Sequence, residues 1–246
     1  MERPLPGVRR VPAGRGWAWI AEAFALFRRS PLIWIVLNLV LLGIGFALLL
    51  IPMLGPYLAY LLTPLFLAGL MTACREAERG NEIEIAHLFR GFSDNATQLV
   101  TVGGVYLVAN VVIGGLAMAI GGADLQDAMR AAAEGTGGAE VQVTNRALLA
   151  VLVSAALFVP LGMAVWFAPA LVVLERVPGW RALLLSLQAC VVNVLPFLAY
   201  GVIMSGLFFV ALLPALAGLV LWVPLAMIST YTAYRDVFTG TAPASA

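Results

Sequence analysis

Long apolar runs separated by short polar segments dominate the pattern of hydrophobic and polar positions along this chain. Six runs have about the length, roughly 20 mainly apolar residues, that a membrane-spanning helix needs. Helices are expected, because lipid offers no partner to backbone N–H and C=O groups and because these runs lack the alternation of barrel strands. The pattern therefore predicts an all-α polytopic membrane protein with six transmembrane helices. These cover residues 31–53, 56–74, 98–120, 147–174, 195–214 and 216–234.

Three shorter stretches, before the first, third and fifth runs, place apolar residues at helical spacing with polar residues on the other face. Helices of this kind lie in the headgroup region of a membrane, so we expect three interfacial amphipathic helices. Ser30, Asn95 and Asn193 follow them, where caps or breaks would turn the chain into the membrane. The predicted apolar faces are Trp17, Ile20, Ala21, Phe24 and Phe27; Ile85, Leu88, Phe89 and Phe92; and Trp180, Leu183, Leu184, Leu187 and Val191.

The second and sixth runs end in nearly the same residues, TACRE at 72–76 and TAYRD at 232–236. The likeness extends beyond these five positions, and a Gly–Trp pair opens both regions, at Gly16 and at Gly179. Such agreement predicts an internal repeat. The residues Pro64, Leu65, Thr72, Ala73, Arg75 and Gly80 recur 160 positions later as Pro224, Leu225, Thr232, Ala233, Arg235 and Gly240.

A weaker copy lies between these two, with Asn95 before the third run and Pro160 within the fourth. Its closing charges come about one helical turn later than in the outer copies, and Pro169 is expected to kink that stretch. The chain is therefore predicted to contain three repeat units. They span about 16–80, 81–178 and 179–240.

Each unit begins with an interfacial helix and continues as a helical hairpin that starts and finishes on one side of the membrane. Repeats of this parallel kind are related by an axis along the membrane normal, so we predict a pseudo-threefold bundle. The expected domains are a basic flexible tail at 1–15, a single transmembrane domain at 16–240 and a tail at 241–246. A periplasmic insertion at 121–146 is expected to hold one short helix at 124–134.

Composition agrees with a membrane environment. Hydrophobic residues make up 62% of the chain and charged residues 11%, against about 25% charged residues in soluble domains. The net charge of +1 argues against a nucleic-acid partner. All basic residues are arginine, which indicates a GC-rich bacterial genome.

The distribution of arginine predicts the orientation. Of 14 basic residues, only Arg130 and Arg146 fall on one predicted side of the membrane. Because cytoplasmic segments carry an excess of positive charge, both termini are expected in the cytoplasm. The predicted location is the bacterial inner membrane.

The acid–arginine pairs that close the three units form a candidate cytoplasmic charge ring. One hypothesis is that the ring binds lipid phosphates or a partner. The alternative is structural, in which arginines anchor the helix ends at the interface or pair between repeats. The residues of the ring are Arg75, Glu76, Glu175, Arg176, Arg235 and Asp236.

Polar residues are few within the spans, and no ionisable side chain falls at a predicted bilayer centre. Proton and ion carriers usually place such groups there. Asn38 and Asn110 occupy related depths in their units and are candidate intramembrane polar contacts. They could hydrogen-bond within the bundle or line a polar path.

No catalytic constellation, cofactor motif or metal-ligand spacing stands out. His87 is the single histidine, and Cys74 and Cys190 lie far apart, so a metal site or disulfide is not expected. No catalytic, cofactor-binding or metal-binding residues are predicted, and we expect no enzymatic activity.

Three motifs resemble those of a family of uncharacterised proteobacterial inner-membrane proteins. They are GWAWIAEAFALFRRSP, PFLAGLMTACREAERG with LFRGFSDN, and STYTAYRDVF. The chain is also distantly similar to YciC-like membrane proteins. The resemblance implies a multi-span helical membrane protein and carries over no catalytic or binding residues.

The leading hypothesis is a non-enzymatic inner-membrane protein that interacts with lipid or a partner and organises the membrane. One alternative is a small permease or channel for a neutral or hydrophobic solute. Another is an assembly factor or accessory subunit of a membrane complex. The expected partners are membrane lipids and, in the last case, a membrane protein.

Overall fold

The structure is a computed structural model of the chain, and it describes residues 6–133, 144–213 and 218–240. Every regular element in these ranges is helical, which confirms the predicted all-α class. The α-helices are α1 (Arg15–Arg29), α2 (Pro31–Leu49), α3 (Gly55–Glu78), α4 (Arg90–Ser93), α5 (Ala96–Ala133), α6 (Asn145–Trp166), α7 (Ala168–Glu175), α8 (Gly179–Val192), α9 (Val194–Leu212) and α10 (Leu219–Tyr234). A 3₁₀ turn, Ile85–Phe89, precedes α4, and a π-helical turn, Arg235–Thr239, continues α10.

Five helical segments in the described ranges are long and apolar enough to cross a membrane: α2, α3, α5, α6 together with α7, and α9. Many of their outward side chains are large and apolar, such as Phe46 on α2 and Val202 on α9. Exposure on that scale suits lipid rather than water. The sixth predicted span, 216–234, falls partly outside the described residues, and its described helix α10 has 16 residues.

The predicted insertion is partly helical. Helix α5 runs past the predicted end of the third span and continues to Ala133. Gly122 interrupts it with a φ of 53°, a left-handed conformation that glycine adopts without steric cost. The short helix predicted at 124–134 is therefore the distal part of α5, and residues 134–143 lie outside the described ranges.

The prolines within the repeats have different effects. Pro64, Pro160 and Pro224 lie inside helices that continue through them. Pro169 lies in the first turn of α7, just after the break at Phe167 that separates α6 from α7. This break coincides with the kink predicted at Pro169, where the ring fits the first helical turn.

The chain divides into two compact units. The smaller unit, Val105–Gly162, consists of most of α5 and α6 and buries Leu125, Ala147 and Ala150. At the start of α6, the Thr144 hydroxyl accepts a hydrogen bond from the Ala147 N–H. This bond satisfies one of the backbone donors that a helix start leaves open.

The larger unit contains the remaining helices, the start of α5 and the end of α6. Its core is apolar and aromatic, and its largest fully buried side chains include Trp19, Phe167, Leu37, Met71 and Ile228.

The three interfacial segments, which we define as α1, the 3₁₀ turn with α4, and α8, each pack on helices of a neighbouring predicted repeat. Helix α1 packs on α9 and α10, the 3₁₀ turn with α4 packs on α3, and α8 packs on α7. We call these contacts the α1 junction, the α4 junction and the α8 junction. In each, the segment that opens one predicted unit lies against the predicted unit that precedes it in cyclic order.

Candidate functional site

Five charged side chains meet at the α1 junction. Arg235, just beyond α10, pairs with Glu22 of α1 at 2.6 Å and with Glu78 at the end of α3. Arg15 at the start of α1 pairs with Asp236 at 2.6 Å and with Glu22 at 2.8 Å. We call Arg15, Glu22, Glu78, Arg235 and Asp236 the charge cluster.

Neutral donors complete the charge cluster. The Trp19 indole N–H donates to Asp236 at 2.8 Å, and the Tyr231 hydroxyl donates to Glu78 at 2.6 Å. Each carboxylate of the cluster therefore accepts from at least two donors. Buried ions are tolerated when they are paired and hydrogen-bonded in this way, so the carboxylates of the cluster are satisfied, whereas Arg235 Nε is buried without a partner among the described residues.

Arg15 remains charged in this setting. Partial burial by itself lowers the pKa of its guanidinium, but the hydrogen bonds and charges of Asp236 and Glu22 together outweigh that effect, and the net pKa is raised. A nearby opposite charge favours the ionised form of a group. The pairs made by Arg15 are thus available throughout the physiological pH range.

The six residues of the predicted charge ring lie in different surroundings. Arg235 and Asp236 belong to the charge cluster. Glu175 accepts a hydrogen bond from the Tyr234 hydroxyl at 2.8 Å, so it meets α10 through a tyrosine. Glu76 accepts from Asn81 at 2.6 Å and from Arg79 at 3.0 Å. Arg176 is exposed at the end of α7, with a φ of 58°.

Arg75, the last member of the ring, has no close ion pair. Its Nε is buried without a hydrogen-bond partner among the described residues. The carboxylate of Glu76 lies 4.0 Å from this Nε, and the Arg75 side chain is 32% exposed. The helix that carries Arg75, α3, contacts α10.

Two junction asparagines make equivalent contacts. The Asn193 amide donates to the Arg9 carbonyl at 2.9 Å and the Asn95 amide donates to the Val172 carbonyl at 3.1 Å. Arg9 lies seven residues before Gly16, and Val172 lies seven residues before Gly179. Asn193 also accepts from the Val11 N–H at 2.8 Å. The chain segment before α1 is thereby fixed to the α8–α9 corner.

The glycines of the two Gly–Trp pairs are equivalent as well. A β-carbon on Gly16 would clash with the Pro196 carbonyl oxygen, and one on Gly179 would clash with that of Gln98. Pro196 follows Asn193 by three residues, and Gln98 follows Asn95 by three. Only glycine permits so close an approach of two backbones, which explains why the pair begins both interfacial helices.

Each interfacial segment buries one face and exposes another that is still apolar. On α1, Ile20 and Phe27 of the predicted apolar face are buried, whereas Trp17 is 57% exposed. On α8, Leu183 is buried and Trp180 is 57% exposed. The exposed apolar side chains of the three segments are Trp17 and Phe24; Ile85, Phe89 and Phe92; and Trp180, Leu184 and Val191.

The two candidate intramembrane asparagines differ. Asn110 donates to the Tyr106 carbonyl of its own helix at 2.8 Å. Asn38 is only 4% exposed, and its Oδ1 has no hydrogen-bond partner among the described residues. The Nε1 of Trp34, one turn earlier on α2, is likewise buried without a partner there. Helix α2 therefore holds an unmatched acceptor and an unmatched donor.

Sequence reasoning missed most partners of Arg235 and Asp236. Arg15 falls in the predicted flexible tail at 1–15, and Glu22 is one of the polar residues between the apolar positions of the first predicted interfacial helix. Their spacing of seven residues, two helical turns, places both on one face, and the structure joins them in a salt bridge. That spacing is a signal that could have indicated a polar contact surface on α1.

Comparison with known proteins supplies the family. A "probable inner membrane protein" of Burkholderia thailandensis is 33% identical over 198 residues, which cover 78% of this chain and 73% of that protein. The chain belongs to the same family as this protein. The expected bacterial inner-membrane family is thereby confirmed, while the more distant similarity to YciC-like proteins stays a prediction. No protein-family model and no solved structure matches the chain.

Proposed function

We propose that this protein is a non-enzymatic inner-membrane component that binds and organises lipid through three interfacial segments. One observation carries the proposal: all three segments leave large apolar side chains partly exposed beside the side chains that they bury against the protein. Side chains such as Trp17, Phe89 and Trp180 suit the boundary between headgroups and acyl chains. A ring of such segments would order the lipids around it.

The proposed architecture is a set of three parallel hairpin repeats arranged about an axis along the membrane normal. The cyclic order of the three junctions supports it. Two further likenesses support it independently. The hydrogen bond made by Asn193 resembles the one made by Asn95, and the close backbone approach at Gly16 resembles the one at Gly179, with the same sequence spacing in both junctions.

The proposed orientation places the charge cluster and the interfacial segments at the cytoplasmic leaflet. Exposed arginines at the end of α1, Arg28 and Arg29, accompany the exposed Trp17 and Phe24. The cytoplasmic leaflet is anionic, and a basic residue near its surface contributes about 1 kcal/mol of attraction. The organised lipid would therefore be enriched in anionic headgroups.

The interfacial side chains can be tested with spin-labelled lipids in vesicles that contain the full chain. The variant with Trp17→Gln and Trp180→Gln should restrict fewer lipids labelled near the headgroup and as many labelled deep in the acyl chain. The matched control, Trp17→Phe with Trp180→Phe, should resemble the wild type. Equal restriction near the headgroup in all three proteins would contradict the proposal.

The anionic preference has its own test. The relative association of spin-labelled phosphatidylglycerol and phosphatidylcholine should fall in the variant with Arg28→Gln and Arg29→Gln, by up to about five-fold per charge. Arg28→Lys with Arg29→Lys keeps the charge and should keep the preference. If the variant without these charges still prefers phosphatidylglycerol, the two arginines do not select anionic lipid. The proposal that the protein organises lipid would stand in that case.

A further inference from the structure

A side chain from α8 is inserted into the break between α6 and α7. In an unbroken helix the Phe167 N–H would donate to the Met163 carbonyl, four residues earlier. Here the Ser186 hydroxyl lies between these two groups: it accepts from the Phe167 N–H at 2.9 Å and donates to the Met163 carbonyl at 2.6 Å. The Cys190 thiol, one turn further along α8, lies 3.6 Å from the same carbonyl. A side chain inserted into the hydrogen-bond ladder in this way bends a helix sharply.

Ser186 departs from the pattern of the predicted repeat. It occupies a position that recurs in each interfacial segment, seven residues before the polar residue that follows the segment. The residues at all three positions are fully buried, but only that of α8 carries a hydroxyl. Helices α3 and α10, against which the other two segments pack, continue through their prolines over their described residues. The three residues are Ala23 before Ser30, Leu88 before Asn95 and Ser186 before Asn193.

The same groups can pair in a second arrangement. If Ser186 withdrew, the Met163 carbonyl would accept directly from the Phe167 N–H. The Ser186 hydroxyl would then donate to the Ala182 carbonyl, four residues earlier on its own helix. Each arrangement contains two of these hydrogen bonds, so hydrogen bonding alone favours neither strongly. Pro169, which has no N–H, leaves the ladder weakened in both, and the span can therefore bend at this place.

Helix α8 connects the break to the exposed surface of the protein. Ala182 and Cys190 are buried on the same side as Ser186, and this side packs on α7. Leu184 lies two residues before Ser186, about 200° around the helix axis, and both Leu184 and Trp180 are exposed. One short helix thus carries a hydroxyl in the break and apolar side chains at the surface. A rotation or shift of α8 would move the hydroxyl into or out of the ladder.

We propose that α8 couples the bend between α6 and α7 to the surrounding lipid headgroups through the Ser186 hydroxyl. This inference rests on the proposed function and deepens it, because it gives the protein a conformational response to the lipid that it organises. With the hydroxyl in the break, the span is bent as in this structure. With the hydroxyl withdrawn, the ladder closes and the span straightens. Lipid shifts this balance to the extent that it favours one position of α8 over the other.

The bend can be measured by double electron–electron resonance between two spin labels. The labels are attached to cysteines introduced at the exposed positions Leu157 on α6 and Val202 on α9, while the two native cysteines are buried. Leu157 lies ten residues before Phe167, a helical arm of about 15 Å. A straightening of about 20° would displace the end of this arm by roughly 5 Å. Ser186→Ala in the full chain in detergent should therefore shift the distance distribution by up to that amount.

A second variant and a matched control accompany Ser186→Ala. Adding Pro169→Ala restores the N–H that the ladder lacks and should shift the distances further in the same direction. The control is Ser154→Ala, whose hydroxyl donates to the Ala150 carbonyl within α6 at 2.7 Å and should leave the distances unchanged. If neither Ser186→Ala nor the double variant differs from the wild type, the Ser186 hydroxyl does not set the bend and the proposal is overturned.

The coupling to lipid is tested in vesicles with Trp180→Gln, which changes the exposed side of α8. This substitution should shift the distances in the wild-type background and add nothing to Ser186→Ala, because the hydroxyl that connects α8 to the break is then missing. An equal shift in both backgrounds, or a shift in neither, would overturn the coupling. The spin-labelled lipids keep the two proposals apart. If their restriction near the headgroup does not depend on Trp17 and Trp180, the proposed function fails, whereas the distances in detergent still decide the role of Ser186.

Discussion

The α1 junction and the α4 junction join interfacial segments to the same kind of helix in different ways. At the α1 junction the charge cluster and the Trp19–Asp236 hydrogen bond cross the contact. At the α4 junction the contact is apolar and close: Phe66 packs edge-to-face against Phe89 and Phe92, and Gly91 lies against the Leu65 carbonyl.

Chain connectivity accounts for the difference. The α4 junction joins neighbours along the chain, because six residues, 79–84, link α3 to the 3₁₀ turn. The α1 junction joins Glu22 to Arg235, 213 residues apart, and would close the proposed ring of repeats. Closing a longer loop costs more entropy, and an apolar contact alone sets register weakly. Buried ion pairs at the closing junction fix which surfaces meet, a role attested for such groups elsewhere.

The largest expected effect is at the closing junction. Arg235→Gln would leave Glu22 and Glu78 without their shared cation in a nearly buried site. Removing one partner of a buried ion pair costs about 3–5 kcal/mol, so the melting temperature in detergent should fall steeply. Thermal unfolding followed by tryptophan fluorescence measures this loss.

Arg75→Gln is the matched control for that variant, because the two positions are equivalent in the predicted repeat. Arg75 lacks a close ion pair, so its removal should cost less than about 1 kcal/mol in lipid-free detergent. If Arg75→Gln and Arg235→Gln lower the melting temperature by similar amounts, the close ion pairs of Arg235 do not contribute the expected stability.

A steric effect should dominate the α4 junction. Gly91→Ala would press a β-carbon against the Leu65 backbone carbonyl, and overpacking of this kind costs about 1–3 kcal/mol. Gly45→Ala on α2 is the control, since nothing lies within 4 Å of the added carbon; there alanine should be neutral or slightly stabilising. Equal melting temperatures for the two variants would show that the backbones are farther apart than described.

The helices were predictable from the sequence because apolarity over about 20 residues leaves few alternatives in lipid. The break at Pro169 was predictable from proline chemistry. The continuation of α5 beyond the third span was not, because alanine-rich residues such as 131–133 favour helix both in lipid and in water.

The polar contacts were harder to predict. The likeness of TACRE and TAYRD pointed to Arg235 and Asp236, but it could not show that their partners are Glu22, Glu78 and Arg15. Those partners come from chain segments far away in sequence, and charge alone does not specify which acid meets which base. The same likeness gave no sign that Arg235 has close ion pairs and Arg75 has none. That difference depends on the acids that other parts of the chain bring to each arginine, not on the shared motif.

The smallest expected effect concerns α2, which contacts the 3₁₀ turn of the α4 junction and also α10 of the α1 junction. Here Asn38 Oδ1 and Trp34 Nε1 are buried without a hydrogen-bond partner among the described residues, whereas each carboxylate of the charge cluster accepts at least two hydrogen bonds. Replacing an unsatisfied buried polar group by an apolar one of similar shape is nearly neutral or stabilising. Asn38→Leu should therefore raise the melting temperature slightly, by the equivalent of about 1 kcal/mol or less.

The matched control for Asn38→Leu is Asn110→Leu, which removes an amide that donates to the Tyr106 carbonyl. That loss should be mildly destabilising, by about 0.5–1 kcal/mol, the net value of one hydrogen bond. The two asparagines occupy related positions in their predicted units, so opposite signs would show that local pairing, rather than the residue type, decides their effect. If Asn38→Leu destabilises the protein more than Asn110→Leu does, the Asn38 side chain is hydrogen-bonded to a group such as a bound water. In that case the permease alternative, with Asn38 lining a polar path, becomes the stronger hypothesis for α2.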